Sequence, residues 1–319
     1  MRNNKISSLA GALTLVVGIF ILISCNSSTP KTPVQTETPT SGKITLAVDE
    51  SFTQLFDTEI YTFQSLYKDA SVTVKYLPEI DVMNAFFADS VRNIVTCRPL
   101  TQEENDFLAS KQLVGRSTKI AHDAIAFIIN NNNNDTMVSY STIKNVLLGK
   151  VSKWEQFGSK NKGDIKVVFD NNKSANIRYL KERLGIITEL PKNCYAVDKN
   201  SEVLDFVKKN KNALGIISVN WISDKDDSLT HAFKKEVRVL AIGSEYEDHP
   251  NEFYGPYQAY IATKEYPFIR DVYMISRETF SGLGSGLISF VAGEKGQRII
   301  LKAGMVPATM PLRVIEMKK

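Results

Sequence analysis

The chain predicts an α/β fold in which a mainly parallel sheet is covered by helices on both faces. From Lys43 onward, short β-branched or aromatic runs alternate with stretches of helical periodicity, and strands joined through helices run parallel. One such unit can be read almost residue by residue. Ile165 to Phe169 is a buried strand, Asp170 to Lys173 carries the Asn/Asp chemistry of a sharp turn, and a helix opens at Ser174. Ile177, Leu180 and Leu184 fall on one face of that helix, and Gly185 sits where its C-terminal cap belongs. Finally, 319 residues at 43% hydrophobic and 23% charged hold one large or two ordinary domains with proper cores.

The elements follow in order. Met1 to Lys5 is a short cationic start and Leu9 to Ile23 is almost wholly apolar, which together make an export signal spanning 1–24. The signal ends in Leu22-Ile23-Ser24-Cys25, which resembles the lipobox of bacterial lipoproteins, so Cys25 is the expected lipidation site. Residues 26–42 are rich in Ser, Thr and Pro and too poor in apolar side chains to fold. With Cys25 they form a tether (25–42) able to reach roughly 55–60 Å when extended. Each buried acyl CH₂ would contribute about 0.8 kcal/mol to membrane attachment, so the chain is expected on an extracytoplasmic or periplasmic membrane face.

Ile44 to Val48, Val72 to Tyr76, Ile94 to Thr96 and Ala124 to Ile129 read as strands. Helical spacing recurs from Phe52 to Tyr67 and from Val82 to Ala88, and Thr101-Gln-Glu-Glu104 has the form of a capping box. The asparagine run 130–134 is expected to be an exposed loop. Ser141 to Leu148 forms a helix stopped by Gly149, and Trp154 is a packing residue. Val203 to Val207 is helical, Leu214 to Ile217 and Val237 to Ile242 are strands, and Ser285 to Ala303 is helical again.

Several function classes are disfavoured. Removing Arg2 and Lys5 with the signal takes the 39 basic residues to 37 against 35 acidic, too even a balance for nucleic acid to be a default partner. His122, His231 and His249 stand far apart and lack metal-ligand spacing, so no metal and no other cofactor is expected. No G-x-S-x-G elbow is present and no histidine neighbours Ser174, so no catalytic residue is assigned; an extracytoplasmic hydrolase is a remote alternative. Cys97 and Cys194 are permitted to pair by an oxidising compartment, but their positions do not require it.

In chain order, Ser51-Phe52 after the first strand is followed by Thr96-Cys-Arg-Pro-Leu-Thr-Gln-Glu-Glu104 and Asp123-Ala-Ile-Ala-Phe-Ile. Then come Leu148-Gly-Lys-Val-Ser-Lys-Trp154, Ala213-Leu-Gly-Ile-Ile217 and the stretch from Gly296 to Pro307. This succession resembles the phosphate-binding, PstS-like branch of the periplasmic substrate-binding proteins that feed ABC importers. The resemblance implies a type II periplasmic binding protein fold with two lobes, 43–128 plus 252–319 and 129–251, each a mainly parallel sheet flanked by helices. It also implies that the chain captures phosphate or a similar small oxyanion between the lobes, closes on it, and delivers it to an ABC permease without catalysing a reaction. The implied ligand-binding residues are Ser51, Phe52, Thr96, Arg98, Ser174, Ala175, Asn176 and Arg178.

The first N–H groups of a helix lack internal partners and together carry about half a positive charge, which makes the start at Ser174 a candidate oxyanion cradle. Ser174 can equally be no more than the cap of its own helix. Where the family has Ser-Gly-Thr, this chain has Ser174-Ala175-Asn176. Asp170 stands where the family has an arginine, and Asp49 and Glu50 crowd the first loop. A carboxylate 4 Å from a bound anion would cost about 4 kcal/mol at an effective dielectric near 20. These acids therefore point away, pair with Arg92, Arg98 or Arg178, or mark a receptor or sensor of the same fold for a different small ligand.

Overall fold

The computed structural model describes residues 37–157, 161–223, 237–245 and 251–311. Cys25, the export signal and most of the tether lie outside them. Among the described residues, no helix is long and apolar enough to cross a membrane.

Strand β1 (Gly42–Asp49) runs parallel to both β2 (Ala70–Leu77) and β3 (Asn93–Thr96). Helices α1 (Thr53–Leu66) and α2 (Glu79–Phe87) make the crossovers, as parallel neighbours require. Helix α3 (Gln102–Ser110) opens on the predicted capping box: Thr101 accepts from the Glu104 N–H, and the Glu104 carboxylate reaches back to the Thr101 N–H.

The fifteen-residue β4 (Arg116–Asn130) is the spine of the molecule. Its first part pairs antiparallel with β12 (Ile269–Ser276) and its second with β8 (Ala213–Ser218) and β9 (Val237–Val239). Beyond β8 lie β6 (Lys166–Phe169) and β7 (Cys194–Ala196), both parallel. The sheet order is β2-β1-β3-β12-β4-β8-β6-β7, so two parallel flanks meet through antiparallel pairs at β12 and β4. Ala124 to Ile129 are entirely buried, which is why this part of β4 reads as an unbroken apolar run.

On the second flank α4 (Tyr140–Leu147) ends at Gly149, whose φ of 71° lies in the left-handed region, and Trp154 is fully buried. Helix α5 (Ala175–Leu184) ends at Gly185 with φ 65°, as expected of a left-handed C-cap. Helices α6 (Asn200–Lys209) and α7 (Asn220–Ser223) complete this side. Strand β5 (Met137–Val138) joins β10 (Ala241–Gly243) and β11 (Phe253–Tyr254) in a small second sheet. Helices α8 (Gln258–Ala262), α9 (Leu283–Ala292) and α10 (Glu294–Lys302) precede β13 (Val306–Pro307).

Three expectations need correction. The asparagine run is not simply an exposed loop, because Asn130 and Asn133 are buried. Asn130 Nδ2 donates to the carbonyls of Val207 at 2.9 Å and Lys208 at 2.7 Å, satisfying acceptors at the end of α6 that the helix cannot satisfy itself. The stretch 237–242 is two strands rather than one; β9 pairs with β4, and after Leu240 the chain moves to the small sheet. Residues 285–303 are two helices, broken at Gly293. A Cβ on nearby Gly296 would come within 2.4 Å of the Val291 backbone, so the two helices can pack at this corner only without a side chain there. Cys97 and Cys194 are both free thiols.

Candidate anion-binding site

The C-terminal ends of the parallel strands in both flanks converge, which is where open α/β sheets place their ligands. From the first flank, β1 leads into a 3-10 turn at Glu50–Phe52, Pro78 turns β2 into α2, and β3 ends at Thr96. From the second, β6 leads through the Asn171 to Ser174 turn into α5, and β8 leads into α7.

Ser174 caps α5 as predicted, its Oγ accepting from the Ile177 N–H at 3.5 Å, and it is nearly fully buried with Ala175 and Asn176. Ser51 and Phe52 have no exposed surface. The first loop and the start of α5 do meet: Ser51 Oγ donates to Asn176 Oδ1 at 3.4 Å. Asn176 Nδ2 in turn donates to Asn200 Oδ1 at 3.4 Å, and the Asn200 N–H to Glu50 at 3.2 Å. The Ser51 carbonyl accepts from Asn220 at 2.6 Å and from the Trp221 indole at 2.9 Å.

The remaining predicted residues lie in the same region but are otherwise engaged. Thr96 Oγ1 donates to Glu79 at 2.6 Å. Arg98 forks onto Glu104 through two bonds of 2.7 Å. Arg178 was expected to reach either the ligand or Asp170; its partners are Glu79, through Nε and through Nη2 at 3.0 Å, and Glu182 at 2.6 Å.

Glu79, Arg270, Asp123 and Asn200 were not expected in the site. Glu79 carried a faint signal, an acid after Pro78 at a strand end, favourable in the first turn of a helix. Arg270 had none, because its strand was not recognised. Arg270 and Asp123 are opposed in register across β12 and β4, with Nε 2.8 Å from Oδ2, and the guanidinium lies 5.6 Å from the centre of the Phe52 ring.

Carboxylates dominate the electrostatics. Burial, reinforced by the charge of Glu79 and offset in part by Arg270, pushes Asp49 up to about 7. Burial also pushes Glu50 up to about 7 against the hydrogen bonds from Asn200, and it raises Asp170. Burial acts in the same sense on Glu79, but the hydrogen bonds and charge of Arg178 outweigh it and hold this carboxyl below its usual range. Around the meeting of the flanks, Asp49 Oδ2, Asp170 Oδ1, Asn220 Oδ1 and Arg270 Nη1 are buried without a hydrogen-bond partner. The arrangement therefore leaves both donor and acceptor capacity uncommitted at the meeting of the flanks. No group of three or more His, Cys, Asp or Glu able to hold a metal ion occurs among the described residues.

A family model described as a PBP superfamily domain matches residues 33–295. Among solved structures, the chain is similar to a putative phosphate ABC transporter substrate-binding protein with bound phosphate from Clostridium perfringens. The two are 21% identical with a TM-score of 0.71, over 84% of this chain and 100% of the other. An ABC-type phosphate transport receptor from Vibrio cholerae is 18% identical with a TM-score of 0.63, over 83% and 100%. PstS from Borrelia burgdorferi is 17% identical with a TM-score of 0.53, over 84% and 99%. No curated protein matches the chain. Matched over most of its length, the chain belongs to the PBP superfamily and has the mixed α/β fold of these solved structures.

Proposed function

We propose that this chain is an extracytoplasmic solute-binding protein that captures phosphate or a similar small oxyanion and delivers it to the permease of an ABC importer. It acts by binding, without turnover. The observation that supports this reading best is the contact of Ser51 with Asn176, which joins the first strand's loop to the N-terminus of α5. A solute held there would touch backbone donors and hydroxyls from both flanks. The lobes are 43–128 plus 252–319 and 129–251, and their closure traps the solute. Phe52, Ala175 and Asn176 shape the cradle, Ser51 and Ser174 supply hydroxyls, and Arg98 and Arg178 supply formal charge at its rim. Acylation of Cys25 after removal of 1–24 holds the protein at the membrane.

A second reading has a specific observation in its favour. Asp49 and Asp170 are buried with unpartnered oxygens, which suits a receptor of the same fold whose solute offers protons rather than only accepting them. Calorimetry of the purified chain against phosphate, sulfate, organic anions and small amines separates the two. Binding of phosphate without hydrolysis of phosphate esters supports the first reading; binding of amines alone sinks it.

A further inference from the structure

Glu79 carries the inference. It is 1% exposed, and its carboxylate accepts from Thr96 Oγ1 at 2.6 Å, from the Cys97 N–H at 3.2 Å, and from Arg178 through Nε and through Nη2 at 3.0 Å. A hydroxyl, a backbone N–H and a forked guanidinium are the donors a small oxyanion requires. All are already committed, and to a carboxylate that belongs to the chain itself.

The same carboxylate bridges the two flanks. Glu79 begins α2 on the first flank, whereas Arg178 lies on α5 of the second. Two neighbouring contacts cross at the same place: Lys173 pairs with Asp81 at 3.0 Å, and the Ile80 N–H donates to the Lys173 carbonyl at 3.2 Å. Pro78 precedes α2 and sets Glu79 in its first turn.

We infer that Glu79 is an internal anion that occupies the donor set of Thr96, Cys97 and Arg178, so that a solute oxyanion binds there by displacing it. The inference rests on the oxyanion reading above and deepens it. An anion fixed within the site by its own backbone competes at an effective concentration far above that of a free solute. Only solutes whose interactions exceed those of a carboxylate displace it, and the apparent affinity of every solute falls by the occupied fraction. Glu79 thus sets the threshold of the receptor and discriminates against small monocarboxylates, which offer the donor set no more than Glu79 already does.

The test compares wild type, Glu79→Gln and Glu79→Ala as full-length chains. Glutamine keeps the shape and one acceptor for the Cys97 N–H but removes the charge; alanine removes both. Titration with inorganic phosphate is expected to show at least ten-fold tighter binding in both variants. Acetate is expected to bind the variants and not the wild type. Amide hydrogen exchange without phosphate reports the bridge independently, because the Ile80 N–H crosses to Lys173 and should exchange faster in both variants. If wild type binds phosphate and the variants match it in affinity, acetate response and Ile80 protection, the Glu79 proposal falls and phosphate capture stands. If none of the three proteins binds any oxyanion, the oxyanion reading fails and takes displacement with it, even where Ile80 exchange accelerates.

Discussion

Arg270 and Asp123 oppose each other across β12 and β4, one 3% exposed and the other not at all, at the place where the two flanks of the sheet join. Ser218 also donates to Asp123, at 2.9 Å. Removing one member of a buried pair strands the other charge, so Asp123→Ala should cost about 3–5 kcal/mol of stability. Urea denaturation measures it. Asp123→Asn keeps the volume and an acceptor but also strands the Arg270 charge, so it should cost nearly as much; a much smaller loss than in Asp123→Ala would show that packing rather than charge pairing is at stake.

Asp49 and Glu50 are both raised to about 7, chiefly by burial. An acid whose folded pKa exceeds its unfolded one binds more protons when folded. Its contribution to stability is therefore fully present below about pH 4 and lost as pH rises through about 7. The melting temperature should decline between pH 5 and 8, and the Asp49→Asn protein should show a flatter profile. Anion affinity should weaken over the same interval in wild type more than in Asp49→Asn, because the deprotonated carboxylate repels the solute.

Glu59, in the middle of α1, is fully buried with both carboxylate oxygens unpartnered, and burial pushes it up to about 9. It is neutral at pH 7. By the same sign, stability should fall as pH rises from the ordinary carboxylate range through about 9. Glu59→Gln should remove that fall, and Glu59→Met should stabilise the protein by about 1–3 kcal/mol by deleting unsatisfied buried oxygens. Denaturation midpoints at pH 6, 7.5 and 9 decide it; an unchanged slope in Glu59→Gln would contradict the assignment.

Ser174 and Arg178 lie one helical turn apart but should respond differently. Ser174→Ala loses a cap and should cost about 1 kcal/mol of stability with or without solute. A further loss of phosphate affinity beyond that would mark the hydroxyl as a contact. Arg178→Ala strands the buried Glu79 carboxylate and should cost about 3 kcal/mol, the low end for such pairs because the Arg178 side chain is 23% exposed. A cost well under 1 kcal/mol would mean that the pair is only a surface one.

Cys25→Ser should release the protein from the membrane or stall its processing. Fractionation of cells and mass measurement of the mature chain check this. A variant matured and membrane-bound like wild type would exclude acylation at that position.

The features legible in the sequence were those in which cause and consequence lie within a few residues. The strand, turn and helix from 165 to 185, with Ser174 as cap and Gly185 in the left-handed region, follow from local turn and capping chemistry, as does the Thr101 and Glu104 box. The α/β class followed from periodicity alone. Burial of Asn130 was hidden, because only the packing of α6 beside β4 turns this asparagine into a donor to that helix's orphan carbonyls. The identity of Arg178's partner was equally hidden: Glu79 lies 99 residues away, and Asp123 lies 147 from Arg270. Which charged groups share a buried site depends on strand order and on how the two flanks face each other. That order is set by the summed burial of the whole sheet, and no short stretch of sequence encodes it.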